Sequence, residues 1–269
     1  MVQFGEVHRR VGALPPRLES SILFLPLNDA RNLKKEIHSG HRVGPRTTMI
    51  AAIDGPAGVG KSTVARRCAD AAGLLYVNSG NFYRAITLAA LEAGAPPGDF
   101  DRVLAVARAC RLSMRGSRLC SNGRDVEDLL HSDAVDEWVA AHSSIPEIRR
   151  IVNTRLREIV QGKDVLVEGR DIGTVVFPRA DIKIFLDADV STRAARRHAQ
   201  GVSHLPLEEV EKSIAARDTV DRNKPTGRLL AAPDALLIDT SHLTIDQVCD
   251  RVIVAILVKK NNPGDIRRL

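Results

Sequence analysis

The sequence predicts an α/β fold built on a five-stranded parallel sheet, with an insertion and further helices added to it. Three observations predict it. Five short apolar runs recur along the chain, separated by segments of helical periodicity. Met49–Asp54 is a short apolar run, as in a buried strand. No internal repeat is present, and strands that alternate with helices imply a parallel sheet covered on both sides.

The elements follow in order. Met49–Asp54 reads as the first buried strand. A Gly-rich turn leads into a helix from about Lys61 to Ala72, closed by Gly73. Leu74–Val77 is the second strand, and Ser79 is placed to cap the next helix, in which Phe82, Ala85, Ile86 and Ala89 repeat at helical spacing until Gly94. Residues 95–145 are less regular and read as the insertion. They hold strand-like pieces at Arg111–Met114 and Arg118–Cys120, with a hairpin signal at Asn122-Gly123. Ile148, Ile151, Val152, Leu156, Ile159 and Val160 form an apolar helical stripe. Asp164–Val167, Asp181–Leu186 and Ala235–Ile238 are three further strands, and Ile245–Val258 is a closing helix.

Composition limits the function classes. Of 269 residues, 44% are apolar and 27% charged, the balance of a soluble globular chain. No apolar run approaches the roughly 20 residues of a membrane helix, and no secretory signal is visible. Cys68, Cys110, Cys120 and Cys249 are too scattered for a disulfide framework or a zinc site, which implies reduced thiols and a cytoplasmic location. Aromatics are only 3%, too few for a single-strand stacking platform. The net charge is +6, of which residues 1–48 carry +4. The remaining body is not basic enough to expect duplex binding, but its arginines cluster, which suits a small anionic ligand.

Residues 1–48 are broken by Pro15, Pro16, Pro26 and Pro45 and show no stable periodicity, so they read as an extension outside the fold. Either Met49 is the natural start, or the extension is a targeting or docking arm. Residues 259–269 read as a basic tail.

Gly55-Pro56-Ala57-Gly58-Val59-Gly60-Lys61-Ser62, followed by Thr63, fits the phosphate-loop pattern G-x-x-x-x-G-K-[ST]. Its backbone N–H groups cradle phosphate oxygens, the following helix points its positive end at them, Lys61 reaches the β and γ phosphates, and Ser62 offers a hydroxyl to Mg2+. The ligand this implies is a nucleoside triphosphate such as ATP. A guanine reader of the Asn-Lys-x-Asp type is absent, since Asn223-Lys224 continues with Pro225-Thr226. A motor-type Asp-Glu strand end is absent too, since Asp187 is followed by Ala188. Small-molecule phosphotransfer therefore leads.

Transfer between two phosphates gathers negative charge, and it needs several cations rather than a general base. The chain supplies Arg84, Arg149, Arg170 with Asp171, the set Arg193, Arg196 and Arg197, and the set Arg217, Asp221 and Lys224 on a later helix that Pro225 should end. Arg170 follows the run Val165–Val167, at the carboxyl end of a strand, where open α/β sheets bind ligands.

From Met49 to about Val258 the chain resembles the bacterial cytidylate kinases. The resemblance rests on Glu168-Gly-Arg-Asp-Ile-Gly-Thr-Val-Val-Phe-Pro178 with Lys183-Ile-Phe-Leu-Asp187-Ala188, and on Ile53-Asp-Gly-Pro-Ala-Gly, Tyr83-Arg84-Ala85, Arg217-Asp218, Asp221-Arg222 and Asp234–Thr240. It implies a P-loop kinase that moves the γ-phosphate of ATP, with Mg2+, to CMP or dCMP. It implies a core of residues 49–78, 162–190 and 229–258, a nucleoside monophosphate domain of about 79–161 and a helical lid of about 191–228. Arg84, Arg149 and Arg170 match positions that hold the acceptor phosphate, while Asp171 and Asp221 match positions around the base and sugar. Arg193 and Arg197 fall in the lid, and Ser79, Tyr83 and Lys224 join the acceptor set. The partners implied are small nucleotides, with no nucleic acid and no membrane, bound by a monomer.

Four positions depart from the family pattern: Asn78 where Asp is usual, His131 and Lys224 where Arg is, and Ala140 where Ser is. Each removes a charge or a donor, or replaces a fork with a point charge. Two further readings stay open beside the leading one: a paralogue acting on another nucleoside monophosphate or a modified cytidine nucleotide, and a nucleotide-binding regulator without turnover.

Overall fold

The computed structural model describes residues 48–199, 205–224 and 226–261. The extension before residue 48, the end of the basic tail and Pro225 lie outside the described residues. The central sheet has five parallel strands: β1 (Ile50–Asp54), β2 (Leu75–Asn78), β6 (Val165–Gly169), β7 (Ile182–Asp187) and β8 (Leu236–Asp239). Their order is β2-β6-β1-β7-β8, so β1 lies at the centre with β6 and β7 on either side. The chain winds away from β1 on one side, then crosses to the other after β6. A ligand crevice forms at the carboxyl ends where the winding changes direction.

Both sheet faces are covered because both faces of the strands are apolar. On one face, helices α1 (Lys61–Ala72) and α8 (Ile245–Asn261) pack Val64, Cys68, Val252 and Ile256 against Ile53, Leu166, Ile184 and Leu186. On the other, α2 (Ser79–Glu92) and α5 (Pro146–Val160) pack Phe82, Ile86, Ile148 and Leu156 against Ala52, Val165 and Val167. The Leu, Ile and Phe side chains among these each contribute about 1.5–3 kcal/mol on burial.

Between α2 and α5 lies the insertion. It contains α3 (Phe100–Ala109), a small antiparallel sheet of β3 (Leu112–Arg115), β4 (Arg118–Ser121) and β5 (Arg124–Asp125), and α4 (Asp133–Ser144). Asn122 and Gly123, with φ of 52° and 82°, make the tight turn between β4 and β5 that the sequence announces. The irregular reading of residues 95–145 is corrected here, since they hold two helices. Each buries a stripe too thin to stand out, Val103 and Ala107 in α3, Val135 and His142 in α4. The Asp99 side chain that accepts from Arg102 N marks the start of α3 and was the legible signal.

Two boundaries also differ from expectation. Asn78, not Ser79, caps α2, its Oδ1 accepting from Gly80 N at 2.9 Å. Helix α7 (Leu207–Asn223) stops before Lys224, which stands outside the helix that carries Arg217 and Asp221. Helix α6 (Val190–Ala199) precedes it. Among the described residues no helix is long and apolar enough to cross a membrane.

Met49 starts the buried core. It is 5% exposed, its N–H donates to Asp164 Oδ1 at 2.9 Å, and its carbonyl accepts from Val165 N. A chain begun at Met49 keeps both core clusters and can still donate from its new amino group to Asp164. We expect it to unfold within about 2 °C of the full-length chain and to retain turnover. A drop of many degrees in a thermal melt would show that residues 1–48 stabilise the fold.

Candidate active site

Strand β1 delivers the loop from Gly55 to Gly60, and α1 leaves it. Gly55 has φ 153°, and a Cβ there would lie 2.2 Å from the Leu186 carbonyl, so the loop can cross β7 only with glycine at that position. Ala57 and Val59 are buried and anchor the loop, while Ser62 and Thr63 are exposed at the first turn of α1. Lys61 is buried, and its Nζ donates to Pro56 O at 2.6 Å. Burial, and then the nearby charge of Arg170, push Lys61 down to about 7, against the pull of Glu168 and Asp54.

Behind the loop lie three acidic and phenolic groups. Asp54 ends β1 and is buried. Burial pushes its carboxyl up to about 6, against two backbone N–H donors and Lys61. Tyr76 donates to Glu168 Oε1 at 2.5 Å, with the Arg66 guanidinium 4.8 Å from its ring. Burial and the Glu168 charge hold the Tyr76 hydroxyl above the ordinary phenol range.

In front of the loop the expected arginines converge from separate elements. Arg170, just past β6, donates through Nε to Asp221 Oδ2 at 2.7 Å and through Nη1 to Gly55 O at 3.2 Å, so it ties α7 to the phosphate loop. Arg149 on α5 pairs with Asp171 at 2.5 Å and lies 5.5 Å over the Tyr83 ring. Arg84 on α2 pairs with Asp136 at 2.6 Å and donates to Leu130 O. Lys224 donates to Asp221 Oδ1 at 2.7 Å, and Arg217 stands 4.0 Å from the same carboxylate. Burial raises Asp221, but Arg170, Lys224 and Arg217 outweigh it and leave the carboxyl below its usual range. Arg217 lies in the same field. Burial, then Arg170, with smaller pushes from Arg197 and Arg84, holds it below the ordinary guanidinium range.

Arg193, expected among the lid cations that act on the phosphates, is used within the protein instead. It is 1% exposed, donating to Ala188 O, to Ala57 O and to Asp218 Oδ2. It therefore fastens the base of α6 and α7 to the phosphate loop. Arg196 donates to Thr240 and Leu243, and Arg197 is half-buried near Arg217. The helical spacing of the three arginines thus places them in three different surroundings. Beside Arg193 a cleft of about 970 Å³ opens at the carboxyl ends of β7 and β8, lined among others by Asp187, Ala188, Asp218, Leu229 and Leu237.

Ser79 is buried with its hydroxyl against Gly169, where a Cβ would lie 2.5 Å from it. Of the departing positions, Asn78 caps α2 and reaches the Tyr76 hydroxyl at 3.5 Å, while Ala140 is exposed on α4. His131 is exposed close to Arg84, and burial with that charge lowers its pKa. Sequence reasoning assigned no role to Asp54, Glu168, Asp136, Asp218 or Gly227. Gly227, with φ 67°, packs so closely on the Arg149–Asp171 pair that a Cβ there would sit 1.9 Å from a guanidinium nitrogen. The motif strings hold Asp54 and Glu168 in plain view, but their partners are far away in sequence.

The family model described as cytidylate kinase matches residues 51–257. A protein of Caldanaerobacter subterraneus named cytidylate kinase is 41% identical over 222 residues, covering 81% of this chain and 98% of the relative. One of Mycobacterium avium with the same name is 43% identical over 212 residues, covering 76% and 93%.

The Lys61 environment has a measurable consequence. Its pKa is lowered by folding, so between about pH 7 and 10.5 the unfolded chain holds a proton that the folded chain lacks, and this group makes stability rise with pH across that window. Triphosphate binding supplies the missing negative charge and recharges the amine. At about pH 8, ATP binding should take up as much as about one proton, read as a buffer-dependent enthalpy in calorimetry. Lys61→Met should lose that uptake, and an enthalpy independent of buffer in the parent protein would show Lys61 already charged.

Proposed function

The chain belongs to the cytidylate kinase family, and we propose that the geometry around the phosphate loop carries out that family's reaction, transfer of the γ-phosphate of ATP to CMP or dCMP. The observation that carries the assignment of residues is the grouping of Arg84 on α2, Arg149 on α5, Arg170 after β6 and Arg217 on α7, with Arg170 bonded to Gly55 O of the loop and Arg217 in the field of both Arg170 and Arg84. Guanidinium groups do not gather by attraction. A group of guanidiniums held together by carboxylates keeps unused donors and net positive charge, which suits a dense anion.

In this reading Gly55–Thr63 hold the triphosphate and Lys61 faces the transferring group. The donor's nucleoside end extends into the cleft by Arg193, at the carboxyl ends of β7 and β8. Arg84, Arg149 and Arg170 orient the acceptor phosphate. That phosphate is already ionised, so no general base is needed, and the residues act by placement and by stabilising charge. Tyr83 supports Arg149 from below. Asp171 and Asp221 are acceptor-only groups suited to amino and hydroxyl donors of a nucleoside. The monophosphate domain is the segment 79–161, and the lid is 191–228, whose closure excludes water that would otherwise hydrolyse ATP.

Among the described residues no cluster of His, Cys, Asp or Glu could hold a metal. The exposed Ser62 hydroxyl fits Mg2+ nonetheless, because Mg2+ in such sites is held mainly by phosphates and water with one or two protein ligands. When bound, the ion neutralises phosphate charge, with Ser62 as its ligand from this chain.

Two substitutions separate the roles. Arg170→Ala should lower kcat/KM on every monophosphate alike, by roughly 10²–10³ for one lost electrostatic contact. Asp171→Ala should act on the nucleoside instead and shrink the preference for CMP over UMP. Steady-state assays with ATP and a panel of monophosphates check both, and equal losses on every acceptor in the two variants would overturn this division.

A further inference from the structure

Asp54 stands between the two halves of the site. It is the last residue of β1, one position before the phosphate loop, and it pairs in register with Gly169 of β6, one position before Arg170. It is 5% exposed. Its Oδ1 accepts the N–H of Ile172 at 2.8 Å, and its Oδ2 accepts the N–H of Gly173 at 2.7 Å. Those two N–H groups open the helical turn Ile172–Val176, whose far end closes back through Val175 N and Val176 N on the Asp171 carbonyl. The first N–H groups of a helical turn have no partner within it, and a carboxylate is the favoured group to meet them.

The fit is close on the other side as well. A Cβ on Gly173 would lie 3.3 Å from Asp54 Oδ2 and 3.2 Å from Lys183 side-chain carbons. Lys183 is itself held by Pro178 O and Asp234, so neither neighbour yields freely. One carboxylate thus joins the strand that carries the phosphate loop to the turn that follows Arg170 and Asp171.

We propose that Asp54 is a positioning residue for the acceptor half of the site: by fixing the Ile172 and Gly173 N–H groups it sets where Arg170 and Asp171 point, and with that the distance between acceptor and triphosphate. The inference rests on the reading of Arg170 and Asp171 as acceptor groups. It bears mainly on the acceptor half: Lys61 keeps its bond to Pro56 O when the Asp54 bonds are lost, and the Asp54 charge that favours the protonated Lys61 amine is removed in Asp54→Asn but kept in Gly173→Ala.

Asp54→Asn keeps the shape but turns an amide donor toward a backbone donor. It should raise KM for CMP by roughly 10- to 100-fold, the cost of a lost charge-assisted bond. KM for ATP should rise clearly less than KM for CMP, because the lost Asp54 charge weakens the hold on protonated Lys61 but the triphosphate itself recharges the amine. Gly173→Ala crowds the same contact while leaving the carboxylate intact, and it should raise KM for CMP in the same selective way. It carries the test if Asp54→Asn fails to fold. A rise in the ATP constant equal to that for CMP, or wild-type constants in both variants, overturns the positioning role. Arg170→Ala is measured alongside. An unchanged KM for CMP there, with Asp54→Asn still selective for CMP, overturns the assignment of Arg170 and not the link between Asp54 and the acceptor half.

Discussion

Mutual repulsion of like charges is the constraint on which this site depends. Two unit charges roughly 4 Å apart at an effective dielectric of about 20 interact by about 4 kcal/mol, and the site brings Arg84, Arg149, Arg170 and Arg217 into one field. The answer in the fold is a nearby carboxylate for each cation. Arg84 has Asp136, Arg149 has Asp171, and Arg170 shares Asp221 with Lys224 and Arg217. Asp221 bears most of this load, and its depressed pKa is the direct sign of it. Below the site, Asp218 does the same for Arg193.

The sheet decides where that field is focused. β1 occupies the centre, so the loop at its end is flanked by the ends of β6 and β7. β6 ends one residue before Arg170, and β7 leads through Asp187 and Ala188 into Arg193, whose guanidinium reaches Ala57 O. Strand register therefore sets the distances between cations that are more than a hundred residues apart in sequence. The helices keep the register by burying both sheet faces. The Asp54 contact with the turn after Arg170 extends the same logic by one hydrogen-bonded layer.

Much of this was legible in the sequence. The short apolar runs predicted the five strands, because a parallel sheet buries both faces. The phosphate loop was legible from its glycine spacing, and at Gly55 the reason is visible, since a Cβ there would lie 2.2 Å from the Leu186 carbonyl. The insertion was harder to read. Helix α4 buries just Val135 and His142 in a segment otherwise rich in charge and small residues, so its period is faint. The Ser79 cap failed because Asn78 competes for the same role one position earlier, and both residues are good caps. The partners of Asp54, Glu168 and Asp218 were not legible at all. Each partner lies 25 to 119 residues away in sequence, and no local pattern encodes the meeting. Arg193 shows the converse. Its helical spacing with Arg197 was correct, but spacing cannot tell a guanidinium aimed at a ligand from one that clamps Ala57 and Asp218.

The pairing of each arginine with a carboxylate also explains why an acceptor site would combine both residue types. An arginine has five donors in a planar fork, and the aspartate engages only part of that fork. In the proposed role, an arriving phosphate takes the remaining donors and competes for those held by the aspartate. Asp221 loosened from Arg170 still accepts from Lys224, whereas Asp171 loosened from Arg149 is a buried acceptor that must find another donor. The amino and hydroxyl groups of the nucleoside are the nearest chemistry that can supply it. Recognition of the phosphate and recognition of the nucleoside are then linked through the Arg149–Asp171 pair. A bare phosphate would free Asp171 without satisfying it, and a nucleoside without its phosphate would find it still occupied.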